Sequence, residues 1–532
     1  MKRLLTTLLL LTLLLSSLLA TNAQKVWSTQ NPIFSQIETL YILEGRSLPS
    51  STGPWSTAEL ARMLSKVNRD TYPELYDHVA QSLGKEPELS VDEAFGMSLT
   101  GSAAFTAYAH SNTDFTFPYD YVDNYIFRTK NAIPTLDLGW ESWVGQNLYG
   151  FFSYQLENEK RLKGRTFDSY PFNFDLAWFC PEGFHQVISQ NPPLRAFVSF
   201  GTDDWNLQFG RDRLVSGSGE TGNLMLSDTF RFHNMLRFSA FGSRFKYTFH
   251  MSFLPHPIEA KGGSRDGLFY YMGHKIEARF LNDRLSIALT DAIIYQSETG
   301  FLDLRFVNPM AFFHNYFIKS SANSIAGIEA SYGISKHFNA YLQLAIDDIS
   351  SPVESSDGDS TPTAMGFLLG IKGSHLVGSG VLKTSLEGAY TFPFLYLRSK
   401  DGNAQSVGDW GLSYIGYYRA LDYVRNIPLF LGYTYGGDAL VGDLKASYSV
   451  LDKWDIGAEL FVMLHGSKNF DSLFELGTET GLLSGNVTFT SYAELYGNYY
   501  LKPGLKVFGQ YDAVVCAKKV DHQFVLGIEA EF

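Results

Sequence analysis

The C-terminal strand constrains the fold of this 532-residue chain more than any other feature. Every second residue up to the C-terminus is apolar: Phe524, Leu526, Ile528, Ala530 and Phe532. Alternate side chains of a strand point to opposite faces, so such a strand suits lipid on one side and water on the other. An unpaired strand edge is not tolerated in lipid. We therefore expect this strand to close a barrel by pairing with the first strand, near residues 95–109.

The same two-residue period begins near residue 94 and continues through the chain. Clear examples are residues 245–253, 365–371 and 454–464, where apolar side chains alternate with polar or small ones. Roughly ten-residue strands of this kind are typical of a transmembrane antiparallel β-barrel. A soluble β-sandwich also alternates, but its strands are shorter and need no terminal aromatic residue. The predicted fold class is therefore all-β, with a barrel over residues 91–532.

Composition agrees with strands rather than helices in the membrane. Aromatic residues make up 15% of the chain and charged residues 18%, an unusual balance for a soluble protein. After the first 23 residues no run approaches 18 consecutive apolar residues, so helical membrane spans are not expected. In a barrel only alternate residues must face lipid.

Tight connections alternate with long ones along the barrel sequence. Outer-membrane barrels place short turns on the periplasmic side and long loops outside. The predicted short turns are 203–204, 242–243, 281–283, 335–337, 452–453 and 502–504. The predicted external segments are 111–131, 157–193, 212–228, 255–267, 296–324, 348–362, 392–426 and 465–484. This pattern gives sixteen to twenty strands and leaves the pairing around 395–440 open.

The N-terminus reads as an export signal. Lys2 and Arg3 precede an apolar stretch over residues 4–19, and Thr21-Asn22-Ala23 offers small residues for a signal peptidase. We predict a signal peptide over 1–23 with cleavage after Ala23, and hence a bacterial outer-membrane location. The alternative is an uncleaved anchor, since about 17 apolar residues just reach across a bilayer. The small residues at 21–23 and the lack of a cluster of basic residues after them favour cleavage.

Residues 24–90 show helical rather than strand periodicity. Ser56 and Glu59 form a capping-box pattern, and Pro73 occupies a position that suits a first helical turn. A weaker helix is predicted over 33–43. These short amphipathic helices need a surface to pack on. A small periplasmic domain and a plug of the barrel would both provide it, and we expect the plug.

No catalytic pattern stands in the sequence, so we predict that the protein is not an enzyme and uses no cofactor or metal. The motifs of hydrolases, zinc proteases and phosphate-binding loops are missing. Asp347 and Asp348 are predicted to form a solvated strand end with opposed side chains. Cys180 and Cys516 leave one disulfide open in an oxidising periplasm, but two cysteines do not make a disulfide framework. Removal of residues 1–23 takes away Lys2 and Arg3 and no acidic residue, so the net charge changes from −13 to −15. A protein this acidic is not expected to bind nucleic acid.

Aromatic and basic residues in the predicted loops suggest a carbohydrate site. Aromatic rings stack on the apolar faces of sugars, and basic groups pair with uronic acids or phosphates. The alternative is an interfacial aromatic girdle with bases that face lipopolysaccharide. The candidate binding residues are Tyr119, Tyr121, Lys160, Arg161, Lys163, Arg165, Arg211 and Arg213.

Several segments resemble the capsule assembly Wzi family of outer-membrane proteins. They are 38–64, 209–234, 305–317, 341–350, 385–396 and 427–450, in the same order as in the family. The resemblance implies an 18-stranded barrel whose periplasmic end is closed by a helical bundle. It also implies a lectin-like role in holding or assembling surface polysaccharide. The expected partners are extracellular polysaccharide, lipopolysaccharide-type outer-membrane lipid and the barrel-assembly machinery. No sugar-contacting residue of the family could be matched to a position here.

A porin or nutrient-uptake channel is the competing interpretation. Its lumen would be polar, and charges of both signs occupy predicted inward positions: Lys246, Lys275, Arg279, Arg284, Lys383, Glu387, Glu459 and Glu494. A mixed-sign lumen suits a water-filled pore or contact with a polar plug equally well.

Overall fold

A closed antiparallel β-barrel of eighteen strands forms the body of the computed structural model, and its sheet is extended by two short segments, Phe172–Phe174 and Ile188–Asn191. The structure describes residues 22–84, 95–112, 115, 134–158, 172–174, 188–191, 194–230, 232–255, 267–297, 301–308, 322–348, 362–398, 412–419, 426–470, 472 and 481–532. The strands are β1 Gly96–His110, β2 Leu136–Val144, β3 Leu148–Asn158, β4 Ala196–Gly201, β5 Trp205–Asp212, β6 His233–Phe241, β7 Phe245–Leu254, β8 Leu268–Phe280, β9 Leu285–Ser297, β10 Ala322–Ser335, β11 Phe338–Asp348, β12 Ala364–Val377, β13 Gly380–Thr391, β14 Ala439–Val450, β15 Trp454–His465, β16 Thr488–Lys502, β17 Leu505–Cys516 and β18 Lys519–Glu531.

The barrel closes where the sequence predicts. Strand β18 pairs antiparallel with β1, with Ile528 opposite Phe105. Phe532 and Gly101 exchange two backbone hydrogen bonds of 2.8 Å at the periplasmic end of this seam. The prediction that the terminal strand is the closing strand is confirmed.

The two faces of each strand differ as the alternation predicts. On β12, Leu369 is 62% exposed on the outer face, whereas the preceding Leu368 is 1% exposed and faces the interior. Leu526 on β18 is 63% exposed, next to inward-facing Gly527. The tight turns predicted after β4, β6, β8, β10, β14 and β16 all join neighbouring strands at one end of the barrel.

Within residues 395–440, the described part of the chain adds no barrel strand before β14, which begins at Ala439. β13 pairs directly with β14, with Thr391 opposite Ala439. The chain between them forms a separate hairpin, Ile415–Arg419 with Asn426–Phe430. One tight turn also lies at the external end, where Ala517 and Lys518 join β17 to β18 with positive φ angles of 48° and 70°.

Three short helices precede the barrel: α1 Pro32–Leu43, α2 Thr57–Leu64 and α3 Pro73–Ser82. Their shared core includes Ile37, Leu40, Leu60 and Val79, and Phe34 stacks on Trp55 with ring centroids 4.0 Å apart. Ser56 Oγ accepts the hydrogen bond of the Glu59 amide, which confirms the N-cap of α2. The second half of the predicted capping box is wrong, because the Glu59 carboxylate instead binds Lys246 of the barrel wall.

One external connection folds back over the outside of the barrel. The 3₁₀ turn Leu304–Val307 places Phe306 against Phe249, Met251 and Tyr270, so part of the outer face of β7–β9 is covered by protein. His274 is joined to the Phe306 carbonyl by a 2.8 Å hydrogen bond. Among the described residues no helix has the length and apolar character needed to cross a bilayer.

Candidate functional site

The lumen is filled by protein that enters from both ends. The N-terminal segment contributes the short strand Thr52–Gly53, and the connection between β5 and β6 contributes Val215–Ser216. These two strands pair antiparallel inside the barrel, with Val215 opposite Gly53. The periplasmic plug and an external loop are therefore joined by backbone hydrogen bonds. We call residues 24–84 the plug and residues 213–230 the inward loop.

A buried charge cluster fixes α2 of the plug to the wall. Lys246 of β7 donates to the Glu59 carboxylate and, at 2.7 Å, to the Thr52 carbonyl. Arg237 of β6 is fully buried, with one guanidinium nitrogen 3.9 Å from the second Glu59 oxygen. Burial raises the pKa of Glu59, while Lys246 and Arg237 oppose that shift. A single carboxylate thus faces two buried cations at the centre of this interface.

Lys372 links the plug to the inward loop. This β12 side chain projects into the lumen and lies 3.0 Å from a Glu38 oxygen on α1 and 2.8 Å from a Glu220 oxygen on the inward loop. Lys445 of β14 approaches Glu220 from the other side at 3.2 Å. Burial on its own would raise the pKa of Glu220, but the two lysines hold it well below its ordinary value. The two lysines thus favour the charged, carboxylate form of Glu220.

Glu387 of β13 holds the tip of the inward loop. Its carboxylate accepts hydrogen bonds from the backbone amides of Glu220 and Thr221 at 2.7 and 2.8 Å. It also accepts from the Thr221 hydroxyl at 2.5 Å and from the Tyr341 hydroxyl at 2.6 Å. Glu387 is 2% exposed, so these bonds form away from bulk water. Two backbone donors that would otherwise be buried without partners are satisfied in this way.

An apolar core closes the external half of the lumen. It is built by the inward loop, by residues 394–397 and 412–417, and by 429–435, packed against the inner wall. Its most buried members include Leu224, Phe394, Leu395, Tyr396, Tyr414, Leu429, Leu431 and Tyr433. The tyrosine hydroxyls tie these segments together as donors: Tyr396 to the Leu224 carbonyl and Tyr414 to the Ala292 carbonyl. Burial raises the pKa of both tyrosines, which keeps the hydroxyls protonated.

Asp347 is part of this core, and its predicted place at a solvated strand end is wrong. It is 6% exposed, and its carboxylate accepts hydrogen bonds from the Tyr396 amide at 2.9 Å and from the Asn323 side chain at 3.3 Å. A bulge between Ile346 and Asp348 accompanies the change. Asp348 lies 3.5 Å from Arg398. Asp347 thus anchors the folded external segment away from water, and the half-buried Asp348 pairs with Arg398 of the same segment.

Of the predicted carbohydrate-binding residues, Arg211 and Arg213 lie within the described part of the chain. Arg211 is on the outer face of β5, stacks over Phe232 at 4.1 Å and donates to the Asn234 side chain at 2.9 Å. Arg213 begins the inward loop and donates to the Asp228 carbonyl at 3.0 Å. The two guanidinium groups therefore have different partners. Tyr119, Tyr121, Lys160, Arg161, Lys163 and Arg165 lie outside the described residues.

The charged residues predicted for a channel lumen contact the plug, the inward loop or the wall. Arg279 donates to the Ser47 and Leu48 carbonyls, and Lys275 lies 2.7 Å from Glu329. Lys383 donates to Ser35 of α1, and Glu459 accepts from Tyr492. Gln510 donates to Glu494 at 3.3 Å. Arg284 was predicted to face the lumen, but it lies in a periplasmic turn and donates to the Gly333 and Ile334 carbonyls.

The described ranges contain possible metal ligands and one of the two cysteines. No group of three His, Cys, Asp or Glu side chains there is arranged to hold a metal ion. Cys516 is a buried free thiol that accepts a hydrogen bond from Thr490 at 3.4 Å, and Cys180 lies outside the described residues.

A solved structure of known fold superposes on most of this barrel. Wzi of Escherichia coli superposes with a TM-score of 0.62 at 14% sequence identity, over 95% of this chain and 99% of that one. The chain has the Wzi fold. Wzi is described as an outer-membrane protein involved in group 1 capsule assembly and as a carbohydrate-binding β-barrel. The eighteen strands and the helices at the periplasmic end, both implied by the resemblance to the Wzi family, are confirmed.

Other outer-membrane barrels are more distant from the Wzi-like chain. OprD of Pseudomonas aeruginosa gives a TM-score of 0.38 at 8% identity, over 82% of this chain and 95% of that one. A loop-deletion mutant of OmpT of Vibrio cholerae gives 0.37 at 9%, over 83% of this chain and all of that one. Scores this low carry no argument about function. Neither the protein-family models nor the curated protein sequences give a match.

Proposed function

We propose that the protein binds surface polysaccharide at the external face of the outer membrane and helps to retain or assemble it, without catalysis. One observation carries this proposal: the lumen is occupied from both ends by bonded protein. A long polymer then has no open path through the lumen, and the external surface is the part of the barrel where it can be held. The shared fold with a carbohydrate-binding barrel supports glycan as the ligand class.

The binding would be multivalent. A polymer offers the same unit many times, so individually weak contacts add up through effective concentration. The inward-folded segments make a firm base, because Glu387 and Asp347 fix them to the wall. The basic cluster Lys160, Arg161, Lys163 and Arg165 and the loop residue Arg213 would pair with acidic groups, and Tyr119 and Tyr121 would stack on sugar rings. Arg211, on the outer face beside Phe232, would meet lipopolysaccharide at the rim.

We propose that the chain has three parts, as the sequence predicts. Residues 1–23 would be removed as a signal peptide after Ala23, 24–90 would act as the plug, and 91–532 would form the barrel. The barrel-assembly machinery would insert it into the outer membrane. Lipid and lipopolysaccharide would contact the outward apolar side chains of the strands, such as Leu369 of β12 and Leu526 of β18.

Charge reversal tests the proposed glycan contacts. We expect replacement of Lys160, Arg161, Lys163 and Arg165 by Glu, and separately Arg213→Glu, to reduce the retention of purified surface polysaccharide by the protein. The reason is that each change turns attraction for acidic sugars into repulsion. Retention is measured at low and at high salt, since an electrostatic contribution must weaken with salt.

Lys336→Glu is the matched control for this experiment. Lys336 is exposed in the periplasmic turn between β10 and β11, on the opposite end of the barrel. The same change in charge there should leave retention unaltered. Equal retention by the wild type and all the external variants would refute the proposed contacts, and no retention by the wild type would refute the proposed function.

A further inference from the structure

A cavity of about 240 Å³ lies between α1 of the plug and the inner wall of β12–β16, near the periplasmic ends of these strands. Its lining includes Ser35 and Glu38 of α1, Lys383 of β13 and Tyr496 of β16. Ser35 is exposed and Lys383 is half-buried, so the cavity opens to solvent beside this pair. The volume equals about eight water molecules at liquid density, the size of one pyranose ring with its hydroxyls.

Tyr496 forms a flat wall of this cavity. Its ring lies directly over Gly457 of the neighbouring strand β15, where a Cβ atom would come within 2.4 Å of Tyr496 Cζ. The glycine therefore allows the ring to lie against the barrel wall instead of crossing the cavity. Tyr496 is half-buried, which leaves one part of its side chain available at the cavity surface. An aromatic face of this kind suits the apolar face of a sugar.

The rest of the lining supplies both donors and acceptors of hydrogen bonds. Hydroxyl groups come from residues on α1 and on three wall strands: Ser35, Thr39, Ser374, Ser385 and Ser447. Three lysines, Lys372, Lys383 and Lys445, are matched by three glutamates, Glu38, Glu220 and Glu459. Since the charges balance, an acidic ligand gains no net attraction, whereas a neutral polyol can use donors and acceptors alike.

We propose that this cavity, between α1 and the Tyr496–Gly457 platform, is a binding site for one neutral hexopyranose unit that enters from the periplasmic side. The proposal rests on the proposed function, from which carbohydrate is taken as the ligand class. It adds a second glycan site, on the other face of the membrane from the polysaccharide-retaining loops. The ring of the sugar stacks on Tyr496, and its hydroxyls bond to the Ser35–Lys383 pair at the mouth and to Glu38 inside.

Calorimetric titration of the full chain in detergent tests the site. The probes are the methyl glycosides of glucose, galactose and mannose, with glucuronic acid as the acidic comparison. We expect at least one neutral glycoside to bind, and glucuronic acid to bind no better. Tyr496→Ala should weaken binding by about tenfold or more, while Tyr496→Phe, which keeps the ring, should retain it.

Gly457→Ala is the second variant, and it leaves Tyr496 in place. The added methyl group displaces the ring toward the cavity, so binding should be lost while the protein still folds as a barrel. Absence of binding for all three neutral glycosides, or equal binding by wild type and Tyr496→Ala, would overturn the site. Polysaccharide retention at the external face should be the same for wild type and Tyr496→Ala. A wild type that fails to retain polysaccharide but binds a glycoside through Tyr496 would refute the proposed function and not this site.

Discussion

Glu387→Ala should release the inward loop from the barrel wall. The side chain is the acceptor for the amides of Glu220 and Thr221, at 2.7 and 2.8 Å, in a site closed to water. Each buried donor left without a partner costs about 1–3 kcal/mol, so loss of both should destabilise the docked loop by about 2–6 kcal/mol. Hydrogen exchange of peptides from residues 213–230 should then be faster by about thirtyfold or more.

Glu387→Gln is the matched control for the loop. The amide oxygen can still accept one of the backbone hydrogen bonds, so exchange should lie between that of the wild type and that of the alanine variant. Peptides from β2, whose Trp143 belongs to a separate apolar cluster, should be unaffected by either change. Unchanged exchange of the inward loop in Glu387→Ala would show that this carboxylate does not hold it.

Glu59→Ala should loosen the plug. The change leaves Lys246 and the fully buried Arg237 without the carboxylate that faces both. Removal of one partner from a buried ion pair costs about 3–5 kcal/mol, because a charge stays buried without compensation. We expect the free energy of opening of α2, measured by hydrogen exchange of residues 57–64, to fall by about that amount.

An exposed ion pair of the plug provides the comparison. Asp77 of α3 lies 2.6 Å from Arg69, and both side chains are exposed to solvent. Asp77→Ala should change the opening of the plug little, because water replaces the partner at an exposed pair. A double-mutant cycle on Glu59 and Lys246 should show strong coupling, and the same cycle on Asp77 and Arg69 should show little. Similar coupling in the two cycles would contradict the role given to Glu59.

The strands of the barrel were predictable because each one shows its pattern within a few consecutive residues of the sequence. The alternation around Leu526 and the tight turns each follow from a few consecutive residues, and closure of β18 on β1 follows from the cost of an open edge in lipid. The helices of the plug were likewise predictable from Ser56 and Pro73. Apart from that closure, these features needed no knowledge of contacts between distant parts of the chain.

The filling of the lumen was not predictable in the same way. Glu387 and the amide of Thr221 are 166 residues apart, and no periodicity relates a loop to the wall that receives it. Glu59 fitted a local capping pattern, but the stronger attraction of buried Lys246 decides where its carboxylate lies. One signal was present: residues 394–397 are four consecutive apolar side chains, which an external loop in water would not favour.

Steady conductance of the full-length protein in a planar bilayer tests the central claim most directly. The claim is that this barrel holds glycan and does not conduct solutes, because the plug and the apolar core of the external loops fill its lumen. We predict no steady current above that of the bare bilayer. Deletion of residues 24–84 alone should not produce a large pore, since the core around Leu224 and Tyr396 still closes the external half. A large, steady current from the intact chain would contradict the account and favour a channel.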